Sequence, residues 1–338
     1  MSNLFKKAAV FTDIHFGLKS NSIQHNRDCS NFVDWFIEKS KEEGCETCLF
    51  LGDWNHHRAS INMHTLQFGL NALEKLNDAF EKVYFITGNH DLYYRDKRDI
   101  HSVEWAKHLK NVVIVDHFIE EGNCVIAPWL CGDDYKNIPK LQGKYLFGHF
   151  ELPTFYMNAM VEMPDHGSLN AEHLQGPEYV FSGHFHKRQA KGNVHYLGSP
   201  FGHNYADTWD DDRGMMKLEW NGVPEYIDYP GPRYRTVPLS RLIDEPEKIL
   251  NEHTYCRATL DINISYEEAS FIKETFSQQY NVREIALIPS KKEEHAQDWK
   301  VVDDIEVENV DQIVYNSLNA VDSEMINKKI LVDIYNSL

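Results

Sequence analysis

Five short segments in the first two thirds of this chain carry side chains able to hold divalent cations: Asp13 and His15, Gly52-Asp53, Gly88-Asn89-His90-Asp91, Gly148-His149, and Gly183-His184-Phe185-His186. Imidazole and carboxylate together suit manganese, iron or zinc better than calcium, which takes all-oxygen shells. The reaction such a set serves is hydrolysis of a phosphate ester. A pair of ions roughly 3.5–4 Å apart lowers the pKa of a shared water toward about 7 and clamps the phosphate for in-line attack. A carboxylate is the natural link between two ions, since it has two oxygens and a negative charge, and Asp53 is the candidate. Any one of the 18 histidines is a weak signal. The joint occurrence of five motifs, in order, carries the reading.

The elements that must position them are legible around them. Residues 5–12, 47–51 and 83–87 read as strands, and 28–43 and 61–80 have helical period, with Phe32, Trp35 and Phe36 on one side of the first helix. Strand-helix-strand-helix-strand builds an α/β sheet whose ligands gather outside the carboxyl ends of the strands. From about residue 111 shorter strands follow, at 112–115, 124–128, 145–147, 179–181, 194–197 and 215–220, and a second sheet packed on the first accounts for them. The Tyr229-Pro230-Gly231-Pro232 cluster marks the end of this domain. A small module follows, with strands at 256–264 and 282–289 around a helix at 266–280, then a charged stretch from 290 to about 304 and two amphipathic segments at 307–319 and 323–337. Such a terminal pair either folds back on its own domain or docks on a partner helix, and helix-in-groove docking suits the pattern better.

Composition narrows the function. An apolar share of 42% is ordinary for a globular protein, and no apolar run nears the roughly 18 residues of a membrane span, so a cytoplasmic protein with no membrane contact is expected. The formal charge of −18 argues against a free-standing nucleic-acid binder; if DNA is the substrate, a partner supplies much of the basic surface. Cys45 and Cys48 form a C-x-x-C with no second pair at zinc-finger spacing, and they read as reduced structural thiols.

The motifs resemble those of the calcineurin-like metallophosphoesterase superfamily, which implies a two-sheet sandwich flanked by helices. By that resemblance Asp13, His15 and His186 hold one metal, Asn89, His149 and His184 the other, with Asp53 between them; His90 is the proton donor to the leaving oxygen, and Asp91 either orients an imidazole or serves its own loop. Within the superfamily, Asp-Ile-His-Phe-Gly at 13–17 and Tyr-Leu-Gly-Ser-Pro at 196–200 are similar to the SbcD nuclease family, the nuclease half of Mre/Rad-type double-strand-break complexes. Gly-His-Phe-Glu at 148–151 and Asp-Asp-Arg-Gly at 211–214 look most like the version carried by T-even-type bacteriophages, a recombination endonuclease subunit, which places the protein in the host cytoplasm.

The resemblance implies a nuclease domain over 1–230, a capping domain over 231–290, a linker over 291–306 and a helix pair over 307–338 that grips the coiled coil of an SbcC/Rad-type ATPase. It also implies a homodimer, for which 61–80 is one place to look, and two divalent ions, most naturally Mn2+. One departure is that Asp53 is followed by Trp54, Asn55 and His56, where many members have a second aspartate. His56 is therefore a candidate to assist His90, His57 reads as surface and Asn55 as a turn residue. Arg58, Arg95, Lys97 and Arg98 sit just beyond metal-bearing turns and either touch DNA phosphates or are solvated loop residues. Two rivals stand beside the exonuclease/endonuclease reading: a small-molecule or cyclic-nucleotide phosphodiesterase, and a scaffold that kept the fold without the chemistry.

Overall fold

The computed structural model describes residues 3–157, 161–165 and 167–289. Strands β1 (Lys7–Phe11), β2 (Thr47–Phe50), β3 (Lys82–Ile86) and β4 (Val112–Val115) run parallel in that order. Parallel neighbours need crossovers, and α1 (Ile23–Glu42) and α2 (Met63–Ala79) supply the first two. Ser22 caps α1 through His25 N, so this helix starts five residues before the apolar stripe that reveals it in sequence. Asn62 caps α2 in the same way, through His64 N at 2.9 Å.

A second sheet follows from β5 (Ile119–Glu121), β6 (Cys124–Ile126), β7 (Tyr145–His149), β8 (Tyr179–Gly183), β9 (Gln189–Lys191) and β10 (Val194–Tyr196), in the order β5-β6-β7-β8-β10-β9. The chain then returns to the first sheet. β11 (Gly214–Glu219) pairs antiparallel with β1, and β12 (Glu225–Asp228) lies outside it. This corrects the sequence expectation that 112–115 and 215–220 join the second sheet: both flank the first, a pairing that local pattern cannot specify.

Side-chain alternation explains the layers. Ala8 and Val10 of β1 face inward, into a core shared with Tyr145, Phe147 and Phe181 of the second sheet. Ala9 and Phe11 face outward, against Phe32 and Phe36 of α1 and Leu73 and Leu76 of α2. The expected two-sheet sandwich flanked by helices is what the chain forms.

A third sheet, parallel, is built by β13 (Arg233–Pro238), β14 (Thr254–Leu260) and β15 (Glu284–Pro289). With α3 (Leu239–Asp244), α4 (Pro246–Ile249) and α5 (Tyr266–Tyr280) it encloses its own core of Val237, Leu242, Cys256, Ala258 and Ile285. Polar contacts fasten it, among them Arg283 Nη1 to Asp28 Oδ2 of α1 at 2.7 Å, Arg235 Nη1 to Asp211 Oδ1 at 2.9 Å, and Tyr234 OH donating to the His203 carbonyl at 3.1 Å. The linker and helix pair expected over 291–338 lie outside the described residues. Cys45 and Cys48 are buried free thiols, and burial pushes the Cys45 thiol up to about 11. Among the described residues no helix is long and apolar enough to cross a membrane.

Candidate metal centre

The carboxyl ends of β1, β2, β3, β7 and β8 lie along one rim, and each delivers one motif. Asp13, His15, Asp53 and His184 adopt left-handed backbone conformations, with φ of 53°, 52°, 65° and 89°. Each such residue costs about 1–3 kcal/mol unless its surroundings enforce it. Here they do: Asp13 N donates to Gly52 O at 2.9 Å, His15 N to Asp53 O at 3.1 Å, and His184 N to the Asp13 carboxylate at 3.1 Å. Two glycines permit the approach. A Cβ on Gly52 would lie 2.5 Å from His149 Nδ1, and one on Gly88 would lie 2.5 Å from the Asp53 nitrogen.

All seven residues named as ligands from sequence meet in one pocket. Asp13, His15 and His186 offer donor atoms within 4.8 Å of one another, and so do Asp53, His149 and His184. Asn89 Oδ1 joins the second group, 3.1 Å from His149 Nε2 and 3.0 Å from His184 Nδ1. One oxygen, Asp53 Oδ2, reaches both groups: it is 3.6 Å from His15 Nε2 and 3.4 Å from His149 Nε2.

The electrostatics suit a cation. Burial pushes the Asp13 carboxyl up to about 7, against the pull of His149 and with the push of Asp53. Burial also works against charge on His149 and Asp53, yet their mutual attraction prevails, raising His149 to about 9 and holding Asp53 well below the usual carboxylate range. The pocket draws positive charge to itself despite its burial, and its N/O donor set fits divalent transition ions.

Two ring nitrogens are fixed from behind. His149 Nδ1 donates to Leu51 O at 2.6 Å, which turns Nε2 toward Asp53 and Asn89. His184 Nε2 lies 3.2 Å from Glu151 Oε2, which turns Nδ1 toward Asn89. Carboxylate and carbonyl partners of this kind set the tautomer of a ligating histidine.

His90 sits beside the bridging carboxylate: its backbone N donates to Asp53 Oδ1 at 2.9 Å, and its ring Nδ1 donates to His56 O at 2.6 Å. His15, His56 and His90 form a third group of convergent donors. Burial, reinforced by His90 and His57, lowers His56 to about 3, so its ring is neutral at pH 7. Asp91 serves its loop, its carboxylate accepting from the amides of Gly88, Asp53, Trp54 and Asn55 at 2.9–3.1 Å. Asn55, expected as a turn residue, is instead buried in a parallel β-bridge with Phe16 and bonded to Ser102 Oγ, and His57, expected at the surface, is half-buried.

The four cationic candidates separate. Arg98 is committed to Asp134 and to the Trp129 carbonyl, and Arg95 pairs with Glu151 at 2.9 Å. Among the described residues Arg58 and Lys97 form no ion pair, and Lys97 Nζ lies 5.7 Å from the Tyr94 ring centroid.

Several participants have no role assigned from the sequence, although Glu151 and Arg213 lie inside quoted motifs. Trp129 packs its ring 5.2 Å from that of His184. Buried His203 places its ring 5.0 Å from that of His186 and 5.6 Å from that of His15. Arg213, buried, donates to His186 O and Ser199 Oγ and pairs with Asp207 at 3.0 Å and Asp210 at 2.9 Å, fixing the last motif's turn.

No family model matches the chain. It is 30% identical over 216 residues to exonuclease subunit 1 of Enterobacteria phage T4, a match covering 61% of this chain and 62% of that one. The chain thus spans somewhat less than two thirds of the length of the curated relative. The likeness read from the motifs to a T-even-type phage nuclease subunit agrees with this similarity. Among solved structures, a dimetal phosphatase from Danio rerio aligns at a TM-score of 0.39 with 10% identity, over 64% of this chain and 93% of that one. The Pseudomonas putida nuclease MPE aligns at 0.29 with 17% identity, over 56% and 66%.

Proposed function

We propose that this chain is a metallophosphoesterase-type nuclease subunit, a two-metal phosphodiesterase that cuts DNA in recombination and double-strand-break repair. The observation that carries the reading is the position of Asp53 Oδ2 within 3.6 Å of one histidine group and 3.4 Å of the other. In this reading Asp13, His15 and His186 hold one ion, Asn89, His149 and His184 the second, and Asp53 spans them, with Mn2+ the natural occupant of such a donor set. Bound ions would supply an acidified water and a clamp on the phosphoryl oxygens.

The chain's own residues do the rest. His90, in its doubly protonated form, presents Nε2–H to the leaving oxygen while Nδ1–H stays bonded to the His56 carbonyl; transfer of the Nε2 proton leaves the neutral ring with its remaining proton at Nδ1, without any turn of the ring. His56, neutral, acts as a positioning residue rather than a second acid. Arg58 and Lys97 take phosphates flanking the cut, and Arg95 can do so by leaving Glu151.

The same reading gives residues 307–338 to an SbcC/Rad-type ATPase, whose basic surface would offset a charge of −18. It also pairs two copies of the chain, with residues 61–80 as a candidate contact; Met63, at the start of α2, is 87% exposed.

The test is turnover with added Mn2+ on a DNA end and on bis-p-nitrophenyl phosphate. Cleavage of DNA is expected. Hydrolysis of the small diester alone would make the protein a small-molecule phosphodiesterase, and no turnover on either would leave a scaffold.

A further inference from the structure

The loop that leaves the Gly88–Asp91 motif carries two adjacent tyrosines that the proposed chemistry does not use. It is a hairpin: Leu92 and His101 form an antiparallel bridge, Tyr93 N donates to Ile100 O at 3.0 Å, and Ser102 N donates to Asp91 O at 2.7 Å. Its far side is fastened to Trp129, whose Nε1 donates to Arg95 O at 3.0 Å and whose carbonyl accepts from Arg98 at 2.8 Å. Trp129 in turn packs on the His149 and His184 rings, with centroids 5.8 and 5.2 Å away. The hairpin is therefore held in a fixed relation to the pocket.

Tyr93 and Tyr94 nonetheless stand 46% and 45% exposed, their rings 4.8 Å apart and nearly perpendicular. Single exposed aromatics are ordinary. Two side by side on a tethered loop, with Ile100 of the returning strand also 54% exposed, make an apolar patch that asks for an occupant. The charge of the neighbours says which kind: Lys97 stands over Tyr94, and Arg95 occupies the next position of the loop. Aromatic faces interleaved with cations are the composition of a platform for single-stranded nucleic acid, where bases stack and the backbone is neutralised. A chain of net charge −18 gains particularly from such a contact, since stacking does not depend on global electrostatic attraction.

We propose that Tyr93 and Tyr94 stack an unpaired nucleobase next to the scissile phosphodiester, so that the preferred substrate is a single strand or a frayed end. A paired duplex hides its base faces and would have to open first. The inference rests on the nuclease reading above and adds the substrate class.

The experiment compares two single-stranded oligonucleotides of equal length and charge, one with ordinary bases and one abasic around a central position, cleaved by the full chain in Mn2+. The wild type is expected to favour the base-bearing strand roughly tenfold in kcat/KM, a stacking-sized effect. Tyr93→Leu/Tyr94→Leu should cut both strands at the abasic rate, and Tyr93→Phe/Tyr94→Phe should restore the preference. Equal cleavage of both strands by the wild type, or an undiminished preference in the leucine variant, overturns the proposal. So does a leucine variant that keeps its preference and loses an ATPase partner, which would assign the patch to a protein. A wild type inert on both strands and on bis-p-nitrophenyl phosphate would instead overturn the nuclease reading itself.

Discussion

His90 Nδ1 donates to the backbone carbonyl of His56 at 2.6 Å, and the two imidazoles stack with centroids 5.2 Å apart and planes 15° from parallel. A carbonyl can only accept, so the tautomer of His90 is settled by the chain itself, and Nε2 is the atom left for substrate.

Replacing His90 by Asn should lower kcat by about 10²–10⁴, the usual worth of a general acid. Metal affinity, read by calorimetry with Mn2+, should be unchanged. Equal loss of binding and turnover would move His90 into the metal shell. His56→Ala keeps the carbonyl and removes only the stacked ring, so its loss should be much smaller, with the shape of the pH profile retained.

Asp53 gives a sharper contrast. Asp53→Asn removes the charge that raises His149 to about 9, and with it the one oxygen that reaches both histidine groups. Calorimetry should show at least one of two ions lost, and turnover on both DNA and the small diester should vanish while circular dichroism stays native. In the unaltered protein, chelation should lower the melting temperature. By mass action, each site adds about 2.7 kcal/mol at a free-ion concentration a hundredfold above Kd. A melting temperature indifferent to EDTA and to Mn2+ would argue that the pocket holds no ion.

Glu151 would bear on a bound metal through His184. Its Oε2 lies 3.2 Å from His184 Nε2 and 2.9 Å from Arg95 Nη2. Glu151→Gln should weaken one of the two ions by roughly 10–100-fold, the range for such supporting partners, whereas Arg95→Ala should leave both ions in place and weaken DNA. Calorimetry on the two variants separates the roles, and unchanged metal affinity in Glu151→Gln would reduce the contact to a surface pair.

What the sequence disclosed and what it hid follow from the range of the interactions. The candidate ligand motifs are legible because strand, turn and donor are contiguous: Val83 to Asp91 contains a strand, its end and the motif side chains of Asn89, His90 and Asp91 within nine residues. Glu151 was not, because its role depends on His184, which reaches it from another strand of the second sheet. The same holds for β4 and β11, whose periodicity marks them as strands and says nothing about which sheet they join. β13 was missed for a different reason. The Pro-Gly cluster at 229–232 reads as a boundary, and Arg233–Pro238 begins directly after it, completed as a strand only by pairing with β14. His203 had no motif at all; only the meeting of its loop with the first and last motifs puts its ring against His15 and His186.

The contact between Asp28 and Arg283 joins residues 255 apart in sequence and ties the third sheet to α1. Asp28 is 4% exposed and Arg283 18%, so removing one partner leaves the other largely out of water. Asp28→Ala should destabilise the chain toward the low end of the roughly 3–5 kcal/mol seen for broken buried pairs, because Arg283 retains some solvent. Urea unfolding should show this as a lower midpoint. If the midpoint falls with an unchanged slope, the third sheet unfolds together with the sandwich. If a separate early transition appears instead, the pair is what makes the two cores cooperative. A double replacement, Asp28→Leu with Arg283→Met, should recover most of the loss, since an apolar pair of similar volume avoids burying either charge. An Asp28→Ala midpoint equal to wild type would show that the ion pair contributes nothing to holding the third sheet in place.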